Sequence, residues 1–571
     1  MNAGPLVEIA LFCTALTAAA PPVGRYLLRV FEGPVPGGAA GAWLERCALR
    51  AIGVSEPRGQ GWKEYTGAVL LLSCLGTLAE YLLHRTQGML LLNPEHLPAV
   101  APDLAFNTAV SFASNTSWQS YAGETTLSYL SQMAGVGWQT LVSVATSMGI
   151  AMAFVRGLTQ KPDGGDAGLG NFWKDLMRGL LFILLPLCAM GTLVQIGAGS
   201  IQNLDAYKTV TTLEGARQRI AMGPAASQMP LKLIGACGGG FFNANSAHPF
   251  ENPTPLTNFL QAFWILVLPA GFLHAFGRMT GDTRQGWVLY CALGGMFLAG
   301  TLLLLAAEQR PGSALQGLGL DLAAGNMEGK EVRFGMGGSA LYAAATTGSS
   351  CGAVNAMHGS FTALGGLVLM VNMQVGEVVF GGSGAGLYAL LMQVLIAAFI
   401  AGLVVGRTPE YLGKKVEMQE MRLVVLYALT YPMIVLSLTA LAMLIPAARA
   451  SLAHAGPHGL SEALYAYSSA AATNGSAFAS LDANTLWWNV TLGLAMLGGR
   501  FLPIVPLMAL ADSMARRSQA PAGAGTLPTN NTTFGLLLVG VIVVESALVF
   551  FPALMLGPLL EHASASRGIC F

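Results

Sequence analysis

The sequence predicts an all-α polytopic membrane protein of about ten transmembrane helices. Four helix–pore-helix–helix repeats are expected around a pseudo-fourfold axis, with one extra helix at each end. The first observation is composition: of 571 residues, 53% are hydrophobic and 10% are charged, whereas soluble chains carry about 25% charged residues. The second is a series of apolar runs long enough to cross a bilayer. The third is a small polar cluster that recurs between these runs.

The apolar runs reach the length that a hydrocarbon core of ~30 Å requires. They cover residues 6–28, 64–84, 129–156, 174–197, 256–277, 285–307, 366–405, 421–446, 486–514 and 533–560. The run at 366–405 is too long for one helix and is interrupted by the glycine-rich segment 381–386. Because backbone freed at membrane depth must line a cavity or pack on protein, we expect a broken helix there.

These runs divide the chain into six segments. Residues 1–60 hold the first helix and a cytoplasmic loop, and residues 526–571 hold the last helix and an external C-terminus. The four repeats are predicted at 61–160, 161–280, 281–415 and 416–525, and the third contains the broken helix.

The charges are balanced overall but unevenly distributed. Lys and Arg number 29, as do Asp and Glu, so no basic surplus points to nucleic acid. When the spans alternate in direction, 18 basic residues fall on one side and 10 on the other, and Arg500 stays inside the ninth span. The positive-inside rule places the richer side in the cytoplasm and both termini outside. The first run carries Glu8 where a signal peptide would be basic, so we expect an uncleaved helix.

Four polar and glycine-rich clusters lie in the external loops, each after an apolar stretch of half-helix length and before a full span. They are residues 114–119, 236–240, 349–352 and 472–476. The reference positions Asn115, Gly238, Gly352 and Gly475 are 123, 114 and 123 residues apart. A single turn of this kind is usually only a loop, but four copies at a steady period favour a common function.

A cation that crosses the membrane must exchange its water for fixed oxygens, and rings of backbone carbonyls can supply them. Glycine permits the backbone angles that aim successive carbonyls at one axis. Each preceding half-helix also presents its negative C-terminal end to that axis. The four clusters therefore predict a potassium-channel-like filter formed by one polypeptide. The alternative use of the 71 glycines is close helix packing.

The predicted filter residues come from all four clusters, with Gln119 in the outer vestibule. They are Ser114, Asn115, Thr116, Ala236, Cys237, Gly238, Gly239, Ser350, Cys351, Gly352, Thr473, Asn474 and Gly475. We expect potassium as the bound and transported ion, with no other metal and no organic cofactor.

Three runs of sequence, residues 238–254, 351–358 and 474–478, resemble the potassium-binding, channel-like subunit of the bacterial Kdp potassium-transporting ATPase. This family lies in the superfamily that also holds Trk, Ktr and HKT transporters. The resemblance covers nearly the whole chain. Four positions differ from the family's usual filter: Ser117 and Thr473 replace asparagines, and Ala236-Cys237 replaces Thr-Asn. Lost amides and a lost hydroxyl would loosen the carbonyl cage, while coordination by backbone is retained.

The resemblance implies a protein of the bacterial inner membrane that selects external potassium for ATP-driven import. The implied partners are a P-type ATPase catalytic subunit and a small single-span accessory subunit. A further small membrane peptide is a third partner that the resemblance allows. The ion would pass sideways through an intersubunit tunnel to the ATPase subunit. The lipid bilayer is the other expected partner, because it surrounds the transmembrane helices.

Charged and glycine residues inside the membrane are the other candidates. An arginine within a span marks a functional site by default, and the resemblance places Arg500 below the filter, where it would limit free permeation. The alternative is an arginine that snorkels or pairs structurally. Gly381, Gly382 and Gly384 form either a packing kink or, as the resemblance implies, a gating loop. Glu377 could attract a cation or pair with Arg500.

The chain contains no Asp-Lys-Thr-Gly phosphorylation motif and no Walker A motif, so we expect a non-catalytic subunit. Its eight cysteines form no C-x-x-C pair, and His248 and Glu251 shape an external turn more readily than a zinc site. A stand-alone or regulator-coupled potassium transporter of the Trk/Ktr type remains the main alternative. A membrane-embedded enzyme or scaffold has no supporting motif.

Overall fold

The computed structural model describes residues 3–55, 57–160, 168–310, 325–404, 406, 409–519, 528–565 and 567. Two predicted segment boundaries, at residue 161 and at residue 526, lie outside these described residues. So does half of the loop between the ninth and tenth spans.

Ten helices in the described ranges are long and apolar enough to cross a membrane. In chain order, spans 1 to 10 are Gly4–Glu32, Trp62–Met89, Ser131–Thr159, Phe172–Ala198, Pro255–Met279, Thr283–Glu308, Ala385–Val404, Met418–Leu444, Leu486–Ala515 and Thr532–Ala565. The predicted fold class is thus confirmed. Spans 3, 4 and 10 each contain a π-helical turn, at Ser131–Gly137, Leu180–Leu184 and Met555–Leu559.

A half-length helix precedes each polar cluster, as the sequence predicts. These pore helices 1 to 4 are Pro102–Ala113, Ala225–Ile234, Gly335–Gly348 and Gly456–Ala471. Nearly every side chain on them is buried, although each is too short to cross the membrane. Helices of this length can enter the membrane only where surrounding protein accepts the backbone at their ends.

The seventh predicted run is two helices. A half-length helix, Ala363–Gln374, begins just before the run and ends in its first quarter, and span 7 begins at Ala385. The break is longer and starts earlier than its glycines suggested, since Glu377 and Phe380 also have left-handed backbone angles, with φ of 58° and 49°. Gly386, by contrast, lies within the helix of span 7.

The remaining elements are short and were not predicted. Four are the α-helices Gly38–Ala51, Gly123–Thr126, Pro446–Arg449 and Leu560–Ala565, the last of which forms the end of span 10. The 3-10 turns are Gln87–Met89, Asn245–Ala247 and His358–Ser360. Two antiparallel hairpins pair Lys208–Thr211 with Arg217–Ile220 and Glu410–Tyr411 with Lys414–Lys415.

Glycines bring several spans into backbone contact. A Cβ atom on Gly24 of span 1 would lie 2.6 Å from the carbonyl oxygen of Gly271 in span 5, so these helices cross too closely for any side chain there. A Cβ on Gly157 of span 3 would overlap the carbonyl oxygen of Ala511 in span 9. Span 3 is the central helix, because 94% of the residues in its most apolar 18-residue stretch are buried. Small residues at these crossings are what membrane helices require for close packing.

Candidate ion-selectivity filter

The four polar clusters share one backbone arrangement at the end of their pore helices. In each, an amide N–H turns back to the carbonyl oxygen five residues earlier, instead of four as in an α-helix. The bonds are Thr116 to Ser111 (2.9 Å), Cys237 to Lys232 (2.9 Å), Cys351 to Thr346 (3.1 Å) and Asn474 to Ser469 (2.9 Å). The clusters are therefore four copies of one turn, which we call filter turns 1 to 4.

The residue before each of these amides has left-handed backbone angles. The φ values are 69° at Asn115, 50° at Ala236, 59° at Ser350 and 52° at Thr473. None of these four is glycine, and a left-handed conformation costs such residues about 1–2 kcal/mol each. Surrounding contacts must hold this strain, which is typical of sites where backbone geometry serves function.

The shared geometry corrects the alignment of filter turn 1. The position equivalent to Gly238, Gly352 and Gly475 is Ser117, and not Asn115 as predicted from the sequence. The four equivalent residues are therefore 121, 114 and 123 positions apart. The error arose because the first cluster contains no glycine, and its most prominent polar residue was matched to the glycines of the others.

The four turns contact each other in cyclic order. Turn 3 meets turn 2 through the Gly352 N–H, which donates to the Cys237 carbonyl oxygen at 3.1 Å. Turn 4 meets turn 3, since a Cβ on Gly352 would lie 2.7 Å from the Asn474 carbonyl oxygen. Turn 4 meets turn 1, since a Cβ on Gly475 would overlap the carbonyl oxygen of Thr116, and turn 1 meets turn 2, since a Cβ on Gly239 would lie 3.3 Å from the Ser117 Cβ. Four backbone turns thus surround one axis.

Two of the four side chains that differ from the expected filter pattern make hydrogen bonds at the filter. The Cys237 thiol donates to the Asn115 side-chain oxygen at 2.9 Å, linking turns 1 and 2. The Thr473 hydroxyl donates to Glu377 at 2.8 Å. The Ser117 hydroxyl is buried and has no hydrogen-bond partner among the described residues. Of these four positions, Cys237 therefore links two filter turns and Thr473 joins the filter to Glu377.

Gln119 bridges turns 1 and 2. Its side-chain oxygen accepts from the Gly240 N–H at 2.8 Å and its amide donates to the Gly240 carbonyl at 3.1 Å. This paired contact fixes the segment that leaves filter turn 2. Gln119 thus positions the backbone at Gly240, and its place in the outer vestibule stays a prediction.

Arg500 is 5% exposed and lies between spans 3, 7 and 9. Its guanidinium donates to the Tyr388 hydroxyl at 3.1 Å and to the Ser147 hydroxyl. Within the described residues it forms no ion pair, so the suggested pairing with Glu377 is not present. Both charged side chains border a cavity of about 110 Å³ that also contacts Thr473 of filter turn 4.

The break before span 7 packs against pore helix 2, filter turn 3 and span 3. The Ser383 hydroxyl donates to the carbonyl oxygen of Ile234, the last residue of pore helix 2, at 2.9 Å. The Gly382 N–H donates to the Ser350 hydroxyl of filter turn 3 at 3.3 Å. A Cβ on Gly384 would lie 2.6 Å from the Ser147 carbonyl oxygen of span 3, so this glycine allows the closest approach. The loop therefore packs beside filter turn 3 and against the end of pore helix 2.

Two buried ion pairs that sequence analysis missed support filter turns 2 and 3. Lys232 on pore helix 2 donates to Glu251 at 2.7 Å, and Lys330 donates to Glu308 at 2.7 Å. All four side chains are at most 4% exposed. The available signal was a lysine inside an apolar stretch of half-helix length.

The turn around His248 has a structural role, as expected. Glu251 receives the Lys232 ammonium and accepts from the Phe242 N–H at 2.8 Å, so its negative charge is already paired with a lysine. The His248 ring stacks on the Phe242 ring, with centroids 3.8 Å apart. Both residues hold the segment that follows Gly238-Gly239-Gly240.

Comparison with known proteins agrees with this architecture. The family model described as "Potassium-transporting ATPase A subunit" matches residues 10–563. A potassium-transporting ATPase potassium-binding subunit from Rhodospirillum centenum is 53% identical over 573 residues, covering 100% of this chain and 99% of that protein. The protein of the same description from Methylobacterium radiotolerans is 51% identical, covering 99% and 98%.

A likeness of fold extends further. The crystal structure of the potassium transporter TrkH from Vibrio parahaemolyticus covers 89% of this chain and 96% of its own, with a TM-score of 0.53 and 15% identity. At that identity the likeness concerns the fold alone. The match over nearly the whole length and the identity of about half to two relatives lead to one conclusion: this chain belongs to the family of potassium-transporting ATPase A subunits.

Proposed function

We propose that this chain binds and selects potassium outside the bacterial inner membrane and passes it to a P-type ATPase subunit for ATP-driven import. The observation that carries the proposal is the ring of four filter turns, each with a left-handed residue and a five-residue backbone return. Carbonyl groups arranged in this way can replace the hydration shell of a cation. The names of the relatives support potassium as that ion.

The thirteen predicted filter residues, from Ser114 to Gly475, are proposed to act mainly through their backbone carbonyls. Ser117 joins them, because it occupies the position of the glycines in the other turns. The Cys237–Asn115 and Thr473–Glu377 hydrogen bonds replace some of the side-chain support that the usual residues would give. Selectivity for potassium over sodium should therefore persist.

Below the filter, Arg500 and the loop 375–384 would prevent ions from passing straight to the cytoplasm. A buried arginine repels a dehydrated cation strongly, because the charge is poorly screened there. Glu377, on the other side of the same cavity, would attract it. The cavity reaches Glu545 on span 10, which supports a sideways exit toward a partner subunit.

The proposed setting is the inner membrane, with both termini outside. A small single-span accessory subunit and a further small membrane peptide are proposed to complete the complex. Co-purification tests this: a stably bound P-type ATPase subunit supports the proposal. A soluble nucleotide-binding ring in its place would support a Trk/Ktr-type transporter.

Arg500→Gln tests the role of the buried charge in the purified complex. We expect a changed potassium affinity and potassium leak in proteoliposomes, because the barrier to direct passage is lowered. Arg449→Gln is the matched control, since it removes the same charge from an exposed external position. If transport rate, affinity and selectivity are all unchanged in Arg500→Gln, the barrier role is wrong.

Deleting residues 381–384 tests the gating loop. We expect leak currents that are independent of ATP, because the loop packs against Ser350 and Ile234 at the base of the filter. A deletion that folds and stays tight would show that the break is only a packing kink.

A further inference from the structure

Two histidines and a glutamate meet at the outer end of pore helix 4. His454 lies just before the helix, and His458 and Glu462 follow on successive turns of it. Residues four apart lie on the same helix face, so the three side chains point to one place. One ligand atom from each lies within 4.8 Å of the others.

The cluster is short of positive charge. The His454 Nδ1 lies 2.7 Å from Glu462, and the His458 Nδ1 lies 3.0 Å from Glu561 at the end of span 10. The Glu462 side chain is 0% exposed and that of Glu561 is 20% exposed. Within the described residues, no lysine or arginine pairs with either carboxylate. With neutral imidazoles, two negative charges are held in a largely buried place, which is costly unless a cation neutralises them.

The surroundings orient these groups as the outer shell of a metal site does. The Glu462 carboxylate is held by the Ala453 N–H at 3.0 Å and by the Ser480 hydroxyl at 2.8 Å. A histidine that donates one ring N–H to a carboxylate presents its other nitrogen as a ligand. The other nitrogen of His458, Nε2, is buried and has no hydrogen-bond partner among the described residues.

We propose that His454, His458 and Glu462 bind a divalent transition-metal ion of the zinc class, with Glu561 orienting His458. Two imidazoles and one carboxylate are a donor set that Zn²⁺ accepts with three protein ligands and one open position. Ca²⁺ and Mg²⁺ prefer oxygen donors only. The ion takes the place of the proton between His454 and Glu462, and the half-exposed His454 side chain moves outward to admit it.

The site is connected to the filter by stacked rings. The His458 ring stacks on Phe478, with centroids 5.8 Å apart, and Phe478 stacks on Tyr465 at 4.2 Å. The Tyr465 hydroxyl is hydrogen-bonded to Ser476 at 2.8 Å, and Ser476 in turn contacts Asn474 of filter turn 4. Metal binding would therefore stiffen filter turn 4 and join it to the end of span 10. This inference is independent of how potassium leaves the filter.

The test uses the full complex, purified without a polyhistidine tag and stripped with a chelator. Zn²⁺ alone is titrated, and bound metal and thermal unfolding are both measured. We expect one ion per chain and a rise in the unfolding temperature. Affinity should fall at least about tenfold in His454→Ala and in Glu462→Gln. His96→Asn, which removes an exposed histidine from another external loop, should bind like the parent chain.

The proposal is overturned if the stripped complex binds no zinc, or if His454→Ala binds with unchanged affinity. It is equally overturned if Mg²⁺ competes with Zn²⁺ at similar concentrations, since a carboxylate-only surface would then explain the binding. The His454 side chain is 40% exposed, so its replacement leaves the fold intact and gives a decisive result even if Glu462→Gln does not fold.

Discussion

Replacing Glu251 by glutamine should loosen filter turn 2 by leaving the Lys232 ammonium without its counter-charge. Lys232 donates to Glu251 at 2.7 Å and to the Asn245 side-chain oxygen at 2.6 Å, and the paired side chains are 4% and 0% exposed. The Lys232 carbonyl oxygen also receives the Cys237 and Gly238 amides, at 2.9 and 3.0 Å. One residue thus carries both the buried charge and the anchor of the filter backbone.

The magnitude follows from burial. Removing one partner of a buried ion pair costs about 3–5 kcal/mol, because the remaining charge is uncompensated. Glutamine retains an oxygen that can accept from the Phe242 N–H, so the change is mainly one of charge. If the whole cost falls on the filter turn, potassium affinity drops by about two to three and a half orders of magnitude, since about 1.4 kcal/mol corresponds to tenfold.

The assay is thermal unfolding of the purified complex, with and without potassium, together with potassium-stimulated ATPase activity. We expect a lower unfolding temperature and a higher potassium requirement in Glu251→Gln. The double variant Lys232→Met/Glu251→Leu should recover much of the stability, because replacing both members of a buried pair is often neutral. Glu64→Gln is the control: its pair with Arg58 is 53% and 81% exposed and is worth below about 1 kcal/mol.

The reasoning is refuted if Glu251→Gln and Glu64→Gln have equal effects, or if the double variant is less stable than the single one. Either result would show that the charge interaction does not hold the turn.

Three further predictions concern the filter glycine, a buried histidine and a buried lysine. Gly238→Ala should abolish potassium binding, because the φ of Gly238 is 89° and a Cβ would overlap the backbone of filter turn 3. Gly197→Ala is the control: Gly197 has open space around it, so this variant should bind potassium normally in the same assay. Burial, with Lys330 nearby, lowers the pKa of His358 to about 3. The unfolded state therefore binds the extra proton below about pH 6.5, and stability is lost by up to about 1.4 kcal/mol per unit as pH falls. His358→Gln should flatten that loss in unfolding scans at pH 7.5 and 5. Lys414→Met should lower the unfolding temperature, since the ammonium donates to carbonyls near the C-terminal ends of spans 3 and 9, at 3.0 and 2.6 Å; an unchanged temperature would contradict this capping role.

The sequence by itself determined the membrane architecture. Spans and half-helices follow from the length of apolar runs, which is a local property fixed by bilayer thickness. The four polar clusters can also be recognised from the local sequence, because glycine and small polar residues mark the end of a half-helix regardless of what the helix packs against. The Lys and Arg asymmetry predicts a sidedness that stays a prediction. Membership of the family, expected from three short runs of sequence, is confirmed over residues 10–563.

Only the tertiary structure decided which residues meet. Lys232 and Glu251 are neighbours in space across a turn that no periodicity describes, and Arg500 meets Ser147, 353 positions away, where Glu377 had been considered. The register of filter turn 1 required the backbone return at Thr116, because its glycine equivalent is a serine. The tertiary structure also showed which glycines serve which purpose: some lie in the filter turns, and others lie where two helices cross. A glycine's sequence neighbours do not reveal what approaches its missing side chain, since that atom comes from a distant part of the chain.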